Sequence, residues 1–131
     1  MTTIRDCIAP DRNPKVPGIK LPDGSIDTHV HIFESQYPLF EGRGYNPPDS
    51  TLDDLKHLHS QLGVSRVVYT QPSPYGIDNS AILKGMKVMN DETLGRARGV
   101  CAIKMDVSDN FLEDLDKQGI KGVRLNMDNI G

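Results

Sequence analysis

The chain has 131 residues, 37% of them hydrophobic and 25% charged, a composition typical of one soluble globular domain. A formal net charge of -3 gives no basic surface for nucleic acid or an anionic membrane, and no apolar run approaches the about 20 residues that span a bilayer. The N-terminus has no apolar secretory core, and the distant Cys7 and Cys101 predict reduced thiols in a cytoplasmic protein rather than a disulfide.

The first 24 residues predict an extended N-terminal arm. Four prolines stand among polar residues there, which excludes a helix. Residues 1–24 therefore either lie across the body of the domain or form a free tail. Residues 25–131 are predicted to be the folded unit, which the chain enters through a turn that ends at Gly24.

The stretch at residues 24–33 predicts the first strand, because polar and apolar residues alternate along it with a period of two. Its two predicted faces are an apolar one, with Ile26, Thr28, Val30 and Ile32, and a polar one, with Asp27, His29 and His31. Two interpretations stay open at this point. The polar face meets water, as in any half-exposed strand, or it forms a metal or acid/base site, since imidazole serves both chemistries.

A long irregular segment, residues 34–49, follows this strand. It retains Tyr37, Arg43 and Tyr45 among several glycines and prolines. Irregular segments longer than about 12–15 residues in a compact domain tend to be functional or disordered. We therefore expect a loop that folds over a site.

Thr51 is predicted to begin the first helix. Asp54, three residues later, supplies the second half of a capping box, and Gly63 suits the position just past the helix end. His57 and His59 lie within this helix, where a spacing of two residues turns their side chains to opposite sides. Both are predicted to be surface histidines.

Two further amphipathic helices follow, each separated from the next by a short strand. Asp78 or Asn79 is predicted to cap the second helix, and Ser108 or Asp109 the third. The third helix is expected to turn three apolar side chains inward: Phe111, Leu112 and Leu115.

The remaining strands are predicted at residues 64–71, 97–103 and 120–126. Strands that alternate with helices form right-handed crossovers and a parallel sheet, and ligands of such sheets bind at the carboxyl ends of the strands. Polar candidates from separate segments fall at such ends: His29, His31, Ser73, Arg124 and Asn126. Their convergence on one edge of the sheet, which we call the mouth, favours a functional site over a polar strand face that merely meets water.

Several motifs add a resemblance to this picture. Asp27-Thr28-His29-Val30-His31 at the end of a first strand resembles the amidohydrolase superfamily. The fuller set is similar to its lactonase branch, which opens dicarboxylic or sugar-derived lactone rings: Tyr37-Pro38-Leu39, Arg43-Gly44-Tyr45, Gln71-Pro72-Ser73-Pro74-Tyr75-Gly76 and Gly122-Val123-Arg124-Leu125-Asn126. The pair of histidines alone is weak support, whereas the ordered set of motifs is specific.

The resemblance implies an α/β fold, the N-terminal half (four β/α units) of a TIM-type (β/α)8 barrel. It implies that His29 and His31 are catalytic and polarise the scissile carbonyl, either with no cofactor or with one divalent metal, Zn, bound between them. The substrate-binding residues that it implies are Tyr45, Ser73, Arg124 and Asn126, with Arg124 pairing a carboxylate bidentately. The alternative for Arg124 is a structural ion pair.

The chain also departs from the family pattern. A (β/α)8 barrel needs about 250 residues, and the aspartate expected as general base belongs to an eighth strand that this sequence does not contain. Asp27 is predicted to be structural rather than a substitute base. The expected partners are a small-molecule lactone or carboxylate, and a homo-oligomer or a missing C-terminal half.

Two hypotheses about function follow. The chain is a lactonase-type hydrolase domain that is incomplete by itself, or it is an inactive half-barrel that self-associates or binds a metal or other ligand. A nucleotide-binding open sheet is disfavoured, because no glycine-rich phosphate loop follows the first strand.

Overall fold

The computed structural model describes residues 4–93 and 95–125. Four strands form a parallel sheet in the order β2-β4-β5-β6, and two short strands, β1 and β3, form a separate parallel pair. The elements are β1 Arg5–Asp6, β2 Ile26–Val30, β3 Tyr45–Asn46, α1 Leu52–Leu62, β4 Arg66–Thr70, α2 Ser80–Glu92, β5 Ala97–Ala102, α3 Asp109–Lys117 and β6 Ile120–Arg124. The predicted half of a β/α barrel is confirmed.

Helix α1 begins and ends where the sequence predicts. The Thr51 side chain accepts a hydrogen bond from the Asp54 backbone N–H, and the Asp54 carboxylate accepts one from the Thr51 backbone N–H. Gly63 closes the helix in the left-handed conformation, with φ of 74°. The capping box thus satisfies two backbone donors that have no partner within the helix.

Helix α2 is fixed along β5 by two asparagines. The side-chain amide of Asn79 pairs with both backbone groups of Ala102, and the amide of Asn90 pairs in the same way with Ala97. Asn79 is the N-cap residue of α2, but its side chain makes no capping bond; the Asp78 carboxylate instead accepts from the Ser80 N–H. One helix therefore holds both ends of the strand beneath it.

The core lies between the four-stranded sheet and helices α1 and α2. Side chains with exposures of 2% or less fill it: Ile32, Val67, Tyr69, Ala81, Ile82, Met86, Met89, Ala97 and Cys101. Gly99, in the middle of β5, leaves room for them, since a Cβ there would lie 2.6 Å from both Met86 and Ile120. A glycine thus lets a methionine lie directly on the sheet.

Strand β2 contains a β-bulge that the regular alternation did not predict. Asp27 pairs with Val67 and Val30 pairs with Tyr69. Between these two pairs, β2 therefore advances by three residues and β4 by two. The bulge reverses the alternation, because its extra residue shifts every later side chain to the other face. Asp27 consequently shares the helix-packed face with Val30, and its predicted place beside the two histidines is wrong. Ile26, predicted to share the apolar face with Val30 and Ile32, is 44% exposed, whereas those two side chains are buried.

Helix α3 covers less apolar surface than predicted. Its Ser108 cap is confirmed by a hydrogen bond from the Phe111 N–H to the serine hydroxyl. Leu115 is buried, but Phe111 and Leu112 are 44% and 38% exposed, so their predicted burial is wrong. The reason is that α3 packs chiefly against β6, the edge strand of the described sheet, and its apolar stripe is wider than that contact.

The N-terminal arm joins the domain through a short strand pair. The Cys7 N–H donates to the Asn46 carbonyl at 3.0 Å, which extends the β1–β3 pairing. No helix in the described ranges is both long and apolar enough to cross a bilayer.

Candidate active site

His31 stands directly after β2 and has a fixed orientation. Its Nδ1 lies 2.8 Å from the Thr70 carbonyl oxygen at the end of β4. A carbonyl only accepts, so Nδ1 carries a proton, and in the neutral ring Nε2 keeps its lone pair. Burial lowers the pKa of His31, and the nearby His29 and Arg124 act in the same direction, against the Thr70 hydrogen bond. The neutral imidazole is therefore favoured at neutral pH.

His29 lies beside His31 on the same face of the strand. The two ring centroids are 5.0 Å apart and the rings stand at 80° to one another, edge to face. His29 is exposed and His31 half-buried. The bulge does not separate the two predicted catalytic histidines: it moves Asp27 away from them.

Three further predicted residues reach the same mouth. Tyr45 and Arg124 lie close enough to Ser73 and His31, respectively, to affect the pKa values of the site, and Arg124 acts on the pKa of Tyr45 as well. Burial raises the pKa of Tyr45, so the phenol keeps its proton at neutral pH. We call His29, His31, Tyr45, Ser73 and Arg124 the mouth cluster.

Gln71 is a residue of this region to which sequence reasoning assigned no role. Its backbone carbonyl accepts a hydrogen bond from Arg124 Nη1 at 3.1 Å. Its side-chain amide donates to the carbonyls of Gly76 and Asp78, at 3.1 and 2.7 Å, which encloses the turn that carries Ser73. Gln71 is 1% exposed, and such a buried amide after a strand was the available signal. It fixes two parts of the mouth cluster together.

The remaining carboxylate candidate is not at the mouth. Asp27 accepts hydrogen bonds from the His29 backbone N–H at 3.3 Å and from His59 Nε2 at 3.2 Å. His59 is 1% exposed, so its predicted surface position is wrong. Asp27 has the structural role that the sequence predicts. Asn126, the last predicted substrate residue, lies outside the described residues.

The two histidines fit a divalent metal in part. Metal-bound histidines usually donate their second ring N–H to a carbonyl or carboxylate, as His31 does to Thr70. Within residues 4–93 and 95–125, however, no group of three histidine, cysteine or acidic side chains is placed to hold a metal ion. Zn prefers four ligands, so His29 and His31 would provide half of a full set.

A concavity lies beside the mouth cluster, under the irregular loop of residues 34–49. Its volume is about 410 Å³, and Phe33, Tyr37, Arg43 and Tyr75 contribute to its wall. Phe33 also lies against His31, with ring centroids 6.2 Å apart. The loop is therefore continuous with the mouth cluster through an aromatic side chain.

Paired histidines and an arginine thus lie at the carboxyl ends of the strands of a half-barrel, an arrangement of the amidohydrolase class. The chain belongs to the amidohydrolase family, whose model matches residues 26–131. It is 37% identical over 116 residues to the 2-pyrone-4,6-dicarboxylate hydrolase of Comamonas testosteroni, a match that covers 87% of this chain and 37% of that protein.

A second curated relative is the 4-sulfomuconolactone hydrolase of Hydrogenophaga intermedia, 34% identical over 120 residues, or 90% of this chain and 38% of that protein. The solved structure of a probable 2-pyrone-4,6-dicarboxylic acid hydrolase from Acinetobacter baumannii, with citric acid bound, superposes with a TM-score of 0.75 at 30% identity. That match covers 82% of this chain and 39% of the other. The chain thus spans less than two-fifths of the length of each of these three relatives.

Proposed function

We propose that this chain forms the carboxylate-binding and carbonyl-activating wall of an enzyme that opens a lactone ring by attack of water. The observation that carries the proposal is the mouth cluster itself: His31 and Arg124 donate to the backbone carbonyls of the neighbouring residues Thr70 and Gln71, and Tyr45 and Ser73 lie close by. Two curated relatives named for lactone or pyrone hydrolysis, and a related structure holding citric acid, support a substrate of that chemical class.

Arg124 would bind the carboxylate of such a substrate. One guanidinium nitrogen already donates to the Gln71 carbonyl, which aims the side chain and leaves further N–H groups for a ligand. The hydroxyls of Tyr45 and Ser73 would hydrogen-bond the bound ring. The arginine is half-buried, where a charge-assisted pair contributes more than at an exposed surface.

His29 and His31 would act on the scissile carbonyl. In the neutral form that burial favours, the lone pair on His31 Nε2 can ligate a cation; donation from Nε2 to a carbonyl oxygen requires the ring to take up a second proton. A divalent metal held by the two histidines would supply Lewis-acid polarisation of the carbonyl. Binding of Zn to the wild-type chain and to His31→Ala, measured by calorimetry, separates the two modes.

Water still needs a proton acceptor in this scheme. Asp27 is engaged by His59 and the His29 N–H on the helix side of the sheet, so it is not free to act as a general base at the mouth. We therefore propose that the chain by itself binds its ligand without turnover, and that a segment beyond the described residues supplies the base. A cytoplasmic location stays a prediction.

Calorimetric titration of 2-pyrone-4,6-dicarboxylate into the purified chain tests this proposal. Arg124→Gln should weaken binding about ten- to a hundredfold, the loss expected for a charge-assisted hydrogen-bond pair. Arg98→Gln is the matched control, because it removes the same charge from the amino end of the same sheet. Equal affinities of the two variants, or no binding to a folded wild-type chain, would contradict the proposal.

A further inference from the structure

Beneath the mouth cluster, a buried histidine and a half-buried aspartate join helix α1 to β2. His59 Nε2 lies 3.2 Å from a carboxylate oxygen of Asp27, and His59 is 1% exposed. Because a carboxylate only accepts, Nε2 carries the proton. Nδ1 of His59 is buried and has no hydrogen-bond partner in the described part of the chain. In the described structure, the side chain of His59 therefore makes its hydrogen bond to Asp27 alone.

The position of the pair coincides with the bulge in β2. The register moves from Asp27 opposite Val67 to Val30 opposite Tyr69, so the extra residue lies at Thr28 or His29. A bulge leaves backbone groups outside the regular ladder of hydrogen bonds. The second oxygen of Asp27 accepts from one of these groups, the His29 N–H, at 3.3 Å. One carboxylate therefore joins the bulged backbone to the helix.

We propose that Asp27 and His59 are positioning residues that hold the bulge and so set the orientation of the His29 and His31 imidazoles. The reasoning is geometric. Without the extra residue, regular alternation would place Asp27 on the same face of the strand as His29 and His31. Either Asp27 would then turn away from α1, or the two imidazoles would turn away from the mouth. With it, His29 and His31 stand edge to face at 5.0 Å, while Asp27 points to α1. The inference rests on the proposed function of these histidines.

An aspartate and a histidine are suited to holding the bulge. A carboxylate offers two acceptor oxygens, so it can accept from His59 and from the His29 N–H together. An asparagine of the same shape offers one acceptor oxygen and turns an N–H₂ group towards one of the two donors. Asp27→Asn should therefore fold yet lose one of the two bonds. His59→Gln keeps a side-chain N–H₂ donor near the position of Nε2, whereas His59→Leu keeps the bulk and removes the donor.

The test is NMR of the histidine-labelled full chain, which needs no ligand and no turnover. In the wild type, His31 should show the Nδ1–H tautomer that its contact with Thr70 requires. In His59→Leu and Asp27→Asn, the imidazole signals of His29 and His31 should change, and the His29 amide should exchange about three- to tenfold faster. His59→Gln should restore most of the wild-type signals. His57→Leu, which removes an exposed histidine from the same helix, should leave them unchanged.

Lower stability alone would not support the proposal, because the loss of any partly buried ion pair or hydrogen-bonded pair has that effect. If folded Asp27→Asn and His59→Leu keep wild-type imidazole signals and His29 exchange, the pair only stabilises the fold and the inference is wrong. Should His59→Leu fail to fold, Asp27→Asn decides the question. Failure of the wild type to bind a dicarboxylate would instead contradict the proposed function and leave these imidazole measurements untouched.

Discussion

Gly99 gives the sharpest test of how the core is packed beneath the site. A Cβ at this position would lie 2.6 Å from Met86 Sδ and 2.6 Å from Ile120 Cδ1. Optimal separations of such atoms are about 3.5–4.0 Å, so each neighbour would have to move by about 1 Å. Met86 is 1% and Ile120 5% exposed, which leaves them little space for that movement.

Gly99→Ala should therefore lower the free energy of unfolding by about 1–2 kcal/mol. Overpacking of a core costs about 1–3 kcal/mol, and the loss of glycine freedom in the unfolded chain offsets about 0.4–1 kcal/mol of that. Gly122→Ala, on the neighbouring strand β6, is the control, because its Cβ would meet Val100 at an ordinary 3.4 Å. Urea unfolding followed by circular dichroism measures both variants.

A second variant shows whether the clash has the stated origin. Met86→Val removes the sulfur that Gly99→Ala would strike, so the alanine should cost clearly less in that background than in the wild type. The reasoning would be refuted if Gly99→Ala were as stable as Gly122→Ala, or if its cost did not depend on Met86.

Two other predictions concern pH and thiol chemistry. The pKa of Asp54 is lowered chiefly by the Thr51 backbone N–H, so this carboxylate stabilises the fold above its unfolded-state pKa, and the stabilisation is lost as the pH falls through the lower folded-state pKa. Asp54→Asn should thus cost about 1 kcal/mol in urea unfolding at pH 7, and progressively less as the pH falls through the lowered pKa of Asp54; a cost that does not change with pH would contradict the role of the charge. Burial raises the pKa of Cys101, whereas Cys7 is exposed. A disulfide-exchange reagent should modify Cys7 in the native chain and Cys101 only after denaturation, and rapid native labelling of both would show that the core opens readily.

The features that were predictable from the sequence depend on neighbouring residues. Thr51, Asp54 and Gly63 define a helix by contacts within a few residues, so their pattern was sufficient. The meeting of Arg124 with His31 was also predictable, because parallel strands must bring their carboxyl ends to one edge.

The bulge in β2 was not predictable from the alternation, because it is a property of two paired strands. The sequence of residues 26–30 does not show that β4 advances by two residues while β2 advances by three between the same two pairs. His59 was misplaced for a related reason. The helical period shows that His57 and His59 point apart, but it does not show which of the two meets a carboxylate under the sheet.

The exposure of apolar side chains on α3 is a third difference between the prediction and the structure. Its apolar stripe predicts which side chains share a face, and Leu115 is buried as expected. The stripe does not show how much of the sheet is available for α3 to pack against. In the described structure α3 packs chiefly against the edge strand β6, so Phe111 and Leu112 stay exposed.

The central claim is that the mouth cluster recognises a dicarboxylate lactone. Titration of 2-pyrone-4,6-dicarboxylate into the isotope-labelled chain, followed by backbone and imidazole NMR shifts, tests it most directly. The account predicts saturable shifts centred on His31, Tyr45, Ser73 and Arg124, which are abolished or strongly weakened in Arg124→Gln. No shifts at millimolar ligand would contradict it, and so would shifts centred on the groove that Leu112, Leu115 and Val123 line between α3 and β6.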